Sequence, residues 1–209
     1  MPTLLHVDSS PLGEHSVSRR LSAEFVARWR RAHPDGGVIV RDLNRTDIPT
    51  IDAMWLAAAD APKDSRSAEQ NAALALSDQF LAELFAADEY VIAVPMHNWG
   101  PSASFKLWAD YLVRYGETIA YTPDGPRGML RGKRATFVIT SGGIYRAGTP
   151  GEKISYLEPW LRTFFAFLGV EDVHFVVADG ALDLKTGKID SDDFYAPHLR
   201  TIDRQLGRD

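Results

Sequence analysis

Apolar and polar positions along the chain alternate between two rhythms. Short runs rich in β-branched, leucine and aromatic residues read as strands: "TLLHVD" (Thr3–Asp8), "VIVRDL" (Val38–Leu43), "EYVIAVPM" (Glu89–Met96), "ATFVIT" (Ala135–Thr140) and "DVHFVVA" (Asp172–Ala178). Between them, apolar residues recur at helical spacing. Val17, Leu21, Phe25 and Trp29 mark one helix to about Arg31, which "HPDGG" ends. Ala73, Leu76, Phe80 and Leu84 mark a second, over Ser65–Ala87. Phe105, Trp108, Leu112 and Tyr115 mark a third, over Pro101–Glu117. Ile154, Leu157, Leu161, Phe164 and Leu168 mark a fourth, and the last helix runs from about Ser191 to Leu206. The weakly periodic stretch Asn44–Ser65 predicts a surface wrap with one helical turn, and "TIAYTPDGPRGMLRGK" predicts a long loop.

Strands alternating with helices predict an α/β layered fold around a parallel sheet. The nearly continuous apolar run of Glu89–Met96 fits a central strand buried on both faces. Five strands and five helices predict one domain over residues 1–209, a three-layer sandwich with the flavodoxin-like strand order 2-1-3-4-5. Such sheets bind ligands beyond the carboxyl ends of their strands, at the switch point between the first and third. That rule selects three loops.

The first loop, "SSPLGEHSVS", supplies Ser9, Ser10, Ser16 and Ser18. Ser16 and Ser18 fall where the first helix begins, and a helix N-terminus favours an anion. Plain N-capping by serine is the better account of a single such hydroxyl; two on the first turn, with Ser10 at the strand end, weigh evenly between capping and a ligand. The loop lacks G-x-x-x-x-G-K-[ST] and G-x-G-x-x-G, which excludes a nucleoside-triphosphate loop and a dinucleotide fingerprint and leaves a phosphate monoester. Asp42, at the end of the second strand, then reads as surface polarity rather than a ribose ligand. In the second loop, "VPMHNWGPSASF", Pro95 predicts the strand's end. Trp99 offers either an apolar wall or a core contact, and Asn98 can read a heteroaromatic edge. In the third, "ITSGGIY", Gly142 and Gly143 suit either a positive-φ turn or close approach by a flat ligand.

Composition narrows the function classes. The formal net charge of −5 argues against nucleic acid or a membrane surface as partner. The chain has no cysteine, which excludes a thiolate nucleophile and Cys-based metal sites. The six histidines show no metal-ligand spacing, and no G-x-S-x-G elbow supports a serine hydrolase. No signal peptide and no apolar run near the ~20 residues of a membrane span are read, so a cytoplasmic location is expected.

The ordered set "SVSRRLSAEFVARWRRAHP", "VRDL", "ALALSDQFLAEL", "VPMHNW", "YTPDGPRGML", "VITSGGI" and "LGVEDVHFV" resembles the FMN-dependent NADH:azoreductase family, relatives of flavodoxin-like quinone reductases. The resemblance spans essentially the whole chain. It implies that Ser10, Ser16, Val17 and Ser18 bind the FMN phosphate, and that Met96, His97, Asn98 and Trp99 line the isoalloxazine. It places Thr140, Ser141, Gly142 and Gly143 at the ring's pyrimidine edge, and Tyr121 and Phe167 at the substrate pocket, Phe167 from the opposite subunit of a homodimer. The implied activity is ping-pong reduction of quinones and aromatic azo compounds by NADH or NADPH, with chemistry on the flavin and no catalytic side chain or metal. His97-Asn98-Trp99 and Thr140-Ser141 depart from the family's common Tyr-Asn-Phe and Ser-Arg, which bears on substrate choice. The rival reading is a flavodoxin-like electron carrier without its own two-electron substrate.

Overall fold

The computed structural model describes residues 1–207. Five parallel strands form the main sheet: β1 (Thr3–Asp8), β2 (Gly37–Asp42), β3 (Glu89–His97), β7 (Arg134–Thr140) and β8 (Asp172–Ala178). Their order is β2-β1-β3-β7-β8, the 2-1-3-4-5 order predicted. A two-residue strand, β4 (Gly100–Pro101), pairs antiparallel with the end of β3, and β5 (Ile119–Thr122) with β6 (Gly125–Gly128) forms a separate hairpin.

The helices are α1 (Val17–Ala32), α2 (Ala53–Asp60), α3 (Ala68–Ala86), α4 (Ala103–Asp110), α5 (Leu157–Leu168), α6 (Ala181–Lys185) and α7 (Ser191–Gln205). Their starts follow local chemistry. Ser67 and Gln70 close a reciprocal capping box on α3, and Asp52, Ser102 and Asp190 cap α2, α4 and α7.

Successive strand residues point to opposite faces, so both faces of the sheet carry core. Leu4, Val91, Val138 and Val176 pack with Leu21, Phe25 and Trp29 of α1 and Phe194 and Ile202 of α7. Their neighbours Leu5, Ile92, Phe137 and Ile139 pack on the other side with α3, α4 and α5. Among the described residues no helix is long and apolar enough to cross a membrane.

Three expectations change. The third predicted helix stops at Asp110 instead of Glu117, because the chain turns at Tyr111 and Thr118 Oγ1 donates to the carbonyl of Leu112. The predicted loop Thr118–Lys133 contains the β5–β6 hairpin. Strand β3 runs through Pro95 to His97: pairing with β1 has ended at Ala93, so on that side the missing proline N–H leaves no ladder bond unmade.

Candidate active-site cleft

The carboxyl ends of β1, β3 and β7 open into a cleft of about 510 Å³, within the range of small-molecule sites. Ser10, Ser16, Val17, Met96, His97, Thr140, Ser141 and Gly142 line it. All three loops chosen by the topology rule therefore meet there.

The serine cradle forms at the junction of β1 and α1. Ser16 is the N-cap of α1, and its Oγ accepts the Arg19 N–H at 3.3 Å, so the capping reading holds for this hydroxyl. Ser18 is fully buried and does not reach the cleft wall; its Oγ lies 3.1 Å from that of Ser16, in hydrogen-bond contact. Ser10 lines the same cleft, and its Oγ accepts the Leu12 N–H at 3.4 Å. The N–H groups of Val17 and Ser18 have no acceptor among the described residues, as expected in a first helical turn. Two hydroxyls, two free N–H groups and the positive end of a four-turn helix form a donor set to which the loop and first turn add no lysine; the lysine lining the cleft, Lys185, comes from α6. That set fits a phosphate monoester better than a polyphosphate. Ser9 is structural: its Oγ donates to the carbonyl of Ala93 at 2.7 Å.

The β3 loop is a hairpin. Met96 faces Pro101 and His97 faces Gly100, leaving Asn98 and Trp99 as a two-residue turn with φ of 49° and 66°. Positive φ at both positions is the type I′ pattern, which normally takes Asn-Gly. Asparagine tolerates this region, whereas an indole there carries strain. Trp99 is 49% exposed, which removes the core-contact reading, and neither it nor Asn98 lines the cleft.

The β7 loop is pinned rather than flexible. Carbonyls of Ser141, Gly142 and Gly143 accept the N–H groups of Ala181, Leu182 and Gly180, and Ser141 Oγ donates to the carbonyl of Gly143. Neither Gly142 nor Gly143 has positive φ, so the turn reading is corrected. Both are exposed, and their N–H groups have no acceptor among the described residues. Gly142 leaves room for close approach, since an added Cβ would meet nothing nearer than Leu182 Cβ at 3.9 Å. These N–H groups suit the carbonyl and ring-nitrogen acceptors of a flavin pyrimidine edge.

Sequence reasoning missed α6 and α7 as walls: Leu182, Lys185 and Tyr195 also line the cleft. Five residues are too few for α6 to show a period. Burial raises the Tyr195 phenol above its ordinary value, against the opposing charge of Arg20, whose guanidinium sits 3.9 Å over the ring. Asp42 is corrected from surface polarity: both its oxygens accept from Arg19, at 2.7 and 2.8 Å. Burial alone would raise the Asp42 carboxyl, but Arg19, the Asn44 N–H and the charge of Arg45 hold it below its ordinary value.

The two expected substrate-wall residues do not reach this cleft. Tyr121 is 74% exposed and stacks on Tyr115, centroids 4.5 Å apart, at a separate cavity. Phe167 is half-exposed on α5. A second cavity of about 490 Å³ adjoins the cleft across Met96 and Ser141, lined by Tyr145, Arg146, Leu157 and Arg162 among others.

Residues 2–202 match the family described as having a flavodoxin-like fold. An FMN-dependent NADH:quinone oxidoreductase 3 of Burkholderia lata is 59% identical over 199 residues, covering 95% of this chain and 96% of that protein. An FMN-dependent NADH:quinone oxidoreductase of Acidobacterium capsulatum is 51% identical over 202 residues, covering 97% and 98%. In fold, the chain is similar to an FMN-dependent NADH-azoreductase of Bacillus anthracis solved with FMN, at a TM-score of 0.86, 24% identity and coverage of 100% and 99%.

Proposed function

This chain belongs to the flavodoxin-like fold family, and from that premise we propose that it is an FMN-dependent NADH:quinone oxidoreductase. The convergence of a monoester-type serine cradle, the end of β3 and the pinned β7 loop on one cleft carries the reading. Enzymes named for this activity, alike over nearly the full length, favour it over an electron carrier.

When bound, FMN supplies hydride acceptance from the nicotinamide and two-electron delivery to the acceptor. Ser10, Ser16 and the first N–H groups of α1 hold the phosphate, with Ser18 fixing Ser16 from behind. Met96, His97 and Thr140 shape the ring site, and the N–H groups of Gly142 and Gly143 stabilise negative charge at its pyrimidine edge. Because the β7 loop is already fixed through Gly180, Ala181 and Leu182, these donors need little reorganisation. Aromatic azo compounds are a second acceptor class within the same proposal, since they too take up electron pairs.

A homodimer belongs to the reading. Tyr121 and Phe167 lie away from their own chain's cleft and present exposed aromatic surface, as residues completing a second copy's site would. A cytoplasmic location is supported by dependence on a soluble dinucleotide. The test is direct: the purified chain should be yellow, release FMN on denaturation and oxidise NADH with a quinone. A colourless protein that fails to take up added FMN would refute the proposal. Sedimentation equilibrium should give twice the chain mass.

A further inference from the structure

The most connected side chain behind the cleft is one that the proposed function does not use. Arg19 lies in the first turn of α1, with its side chain 18% exposed. Its Nε donates to the carbonyl of Ser10 at 2.9 Å. Its Nη1 donates to Asp42 Oδ2 at 2.8 Å and Asp8 Oδ2 at 3.4 Å, and its Nη2 to Asp42 Oδ1 at 2.7 Å. Its own backbone N–H goes to Ser16 Oγ. One residue thus contacts both hydroxyl-bearing walls of the cradle.

The arrangement has an electrostatic reason. Asp8 and Asp42 end β1 and β2 and are direct register partners, so two carboxylates lie side by side at the rim. The Ser10 carbonyl adds a third acceptor. Without a cation, these groups repel one another and disfavour an anion nearby. The planar guanidinium matches all three acceptors at once, which the point charge of a lysine does not. Asp8 is held in turn by Ser22, whose Oγ donates to Asp8 Oδ1 at 3.0 Å and contacts His6 Nε2 at 3.0 Å.

We propose that Arg19 is the positioning residue of the phosphate cradle, fixing Ser10 and Ser16 through Asp42 and Asp8, so that preference for FMN over riboflavin depends on it. The proposal rests on the reading of the cleft as an FMN site. Arg19 acts through Ser10 and Ser16 and through the charge it balances, without touching the ligand.

Calorimetric titration of the apoprotein with FMN and with riboflavin, which lacks the phosphate, tests it. The wild-type chain binds FMN more tightly. Arg19→Gln should weaken FMN binding by roughly tenfold or more, the scale of lost hydrogen bonds to a charged group, while riboflavin affinity stays within about twofold. Arg19→Lys, which keeps the charge and loses the fork, should fall between them. Asp42→Asn, which keeps the size of the side chain, should reduce the ratio in the same direction and guards against a misfolded Arg19 variant. An equal loss for both ligands, or an unchanged ratio in folded variants, would overturn the positioning role. A wild-type chain that binds riboflavin as tightly as FMN would instead overturn the phosphate cradle itself.

Discussion

The β5–β6 hairpin packs backbone to backbone against the end of α5, and Gly128→Ala probes that contact. A Cβ on Gly128 would sit 2.1 Å from the Leu168 carbonyl carbon, 2.2 Å from the Gly169 nitrogen and 2.5 Å from the Leu168 oxygen. Ordinary contact begins at 3.4 Å, so one backbone must move by about 1.3 Å. Neither has a flexible side chain that can yield. Gly169 ends α5 at φ 100°, and a Cβ added there would in turn lie 2.9 Å from the Gly128 carbonyl, while the Leu130 N–H donates to the Leu168 carbonyl at 2.9 Å. Overpacking of this kind costs about 1–3 kcal/mol. Loss of the Leu130 bond adds roughly 0.5–1.5 kcal/mol. The sum of about 1.5–4.5 kcal/mol should appear as a lower urea midpoint with an unchanged m-value. Amide exchange should quicken at the hairpin and the last turn of α5 while the cradle stays protected. Because Phe167 precedes the contact, the quinone KM should rise while the FMN-to-riboflavin affinity ratio holds. A variant within about 0.5 kcal/mol of wild type, the range of neutral surface changes, would refute the reasoning.

Ser16→Asp retains a good N-cap, so α1 should keep its stability while FMN affinity falls below that of Ser16→Ala; equal affinities would contradict a phosphate beside Ser16. Trp99→Gly removes a left-handed penalty of about 1–2 kcal/mol, so thermal unfolding should show a Tm equal to or above wild type despite the lost indole contacts. A clear fall in Tm would show that the turn is not strained. The folded-state value of Asp42 lies below its ordinary 3.8, so its contribution is complete above pH 3.8 and is lost as the pH falls through the folded value. Urea midpoints of Asp42→Asn should therefore fall less steeply with acidification below pH 3.8 than those of wild type. Equal slopes would remove the group from the acid transition.

The main sheet is legible because its inner strands β1, β3 and β7 are buried on both faces and stand out as apolar runs, while the half-exposed edge strands still show as β-branched segments; Thr3–Asp8 and Asp172–Ala178 coincide with the observed strands. The topology rule then selects the three loops that meet at one cleft. The cleft's remaining walls were hidden for different reasons. Leu182 and Lys185 sit on a helix too short to have a period, and nothing in the pattern of the last helix singles out Tyr195 from its neighbours. Asp42 was misread because its meaning depends on Arg19, 23 positions away, and a single sequence does not reveal such pairs. The β4 turn was hidden because Asn98-Trp99 lacks the glycine that usually announces it.

That turn has an optical consequence. Of the five tryptophans, Trp29, Trp55 and Trp108 are buried to 5% exposure or less, and Trp160 is partly buried. Trp99 alone is half in water, two residues from a side chain that lines the cleft. Its emission should therefore lie at the red edge of the protein's fluorescence and be the part most open to iodide. The chain carries a built-in fluorophore beside its cleft, and occupancy there should register as a change in that red-edge component while the buried indoles supply a steady reference.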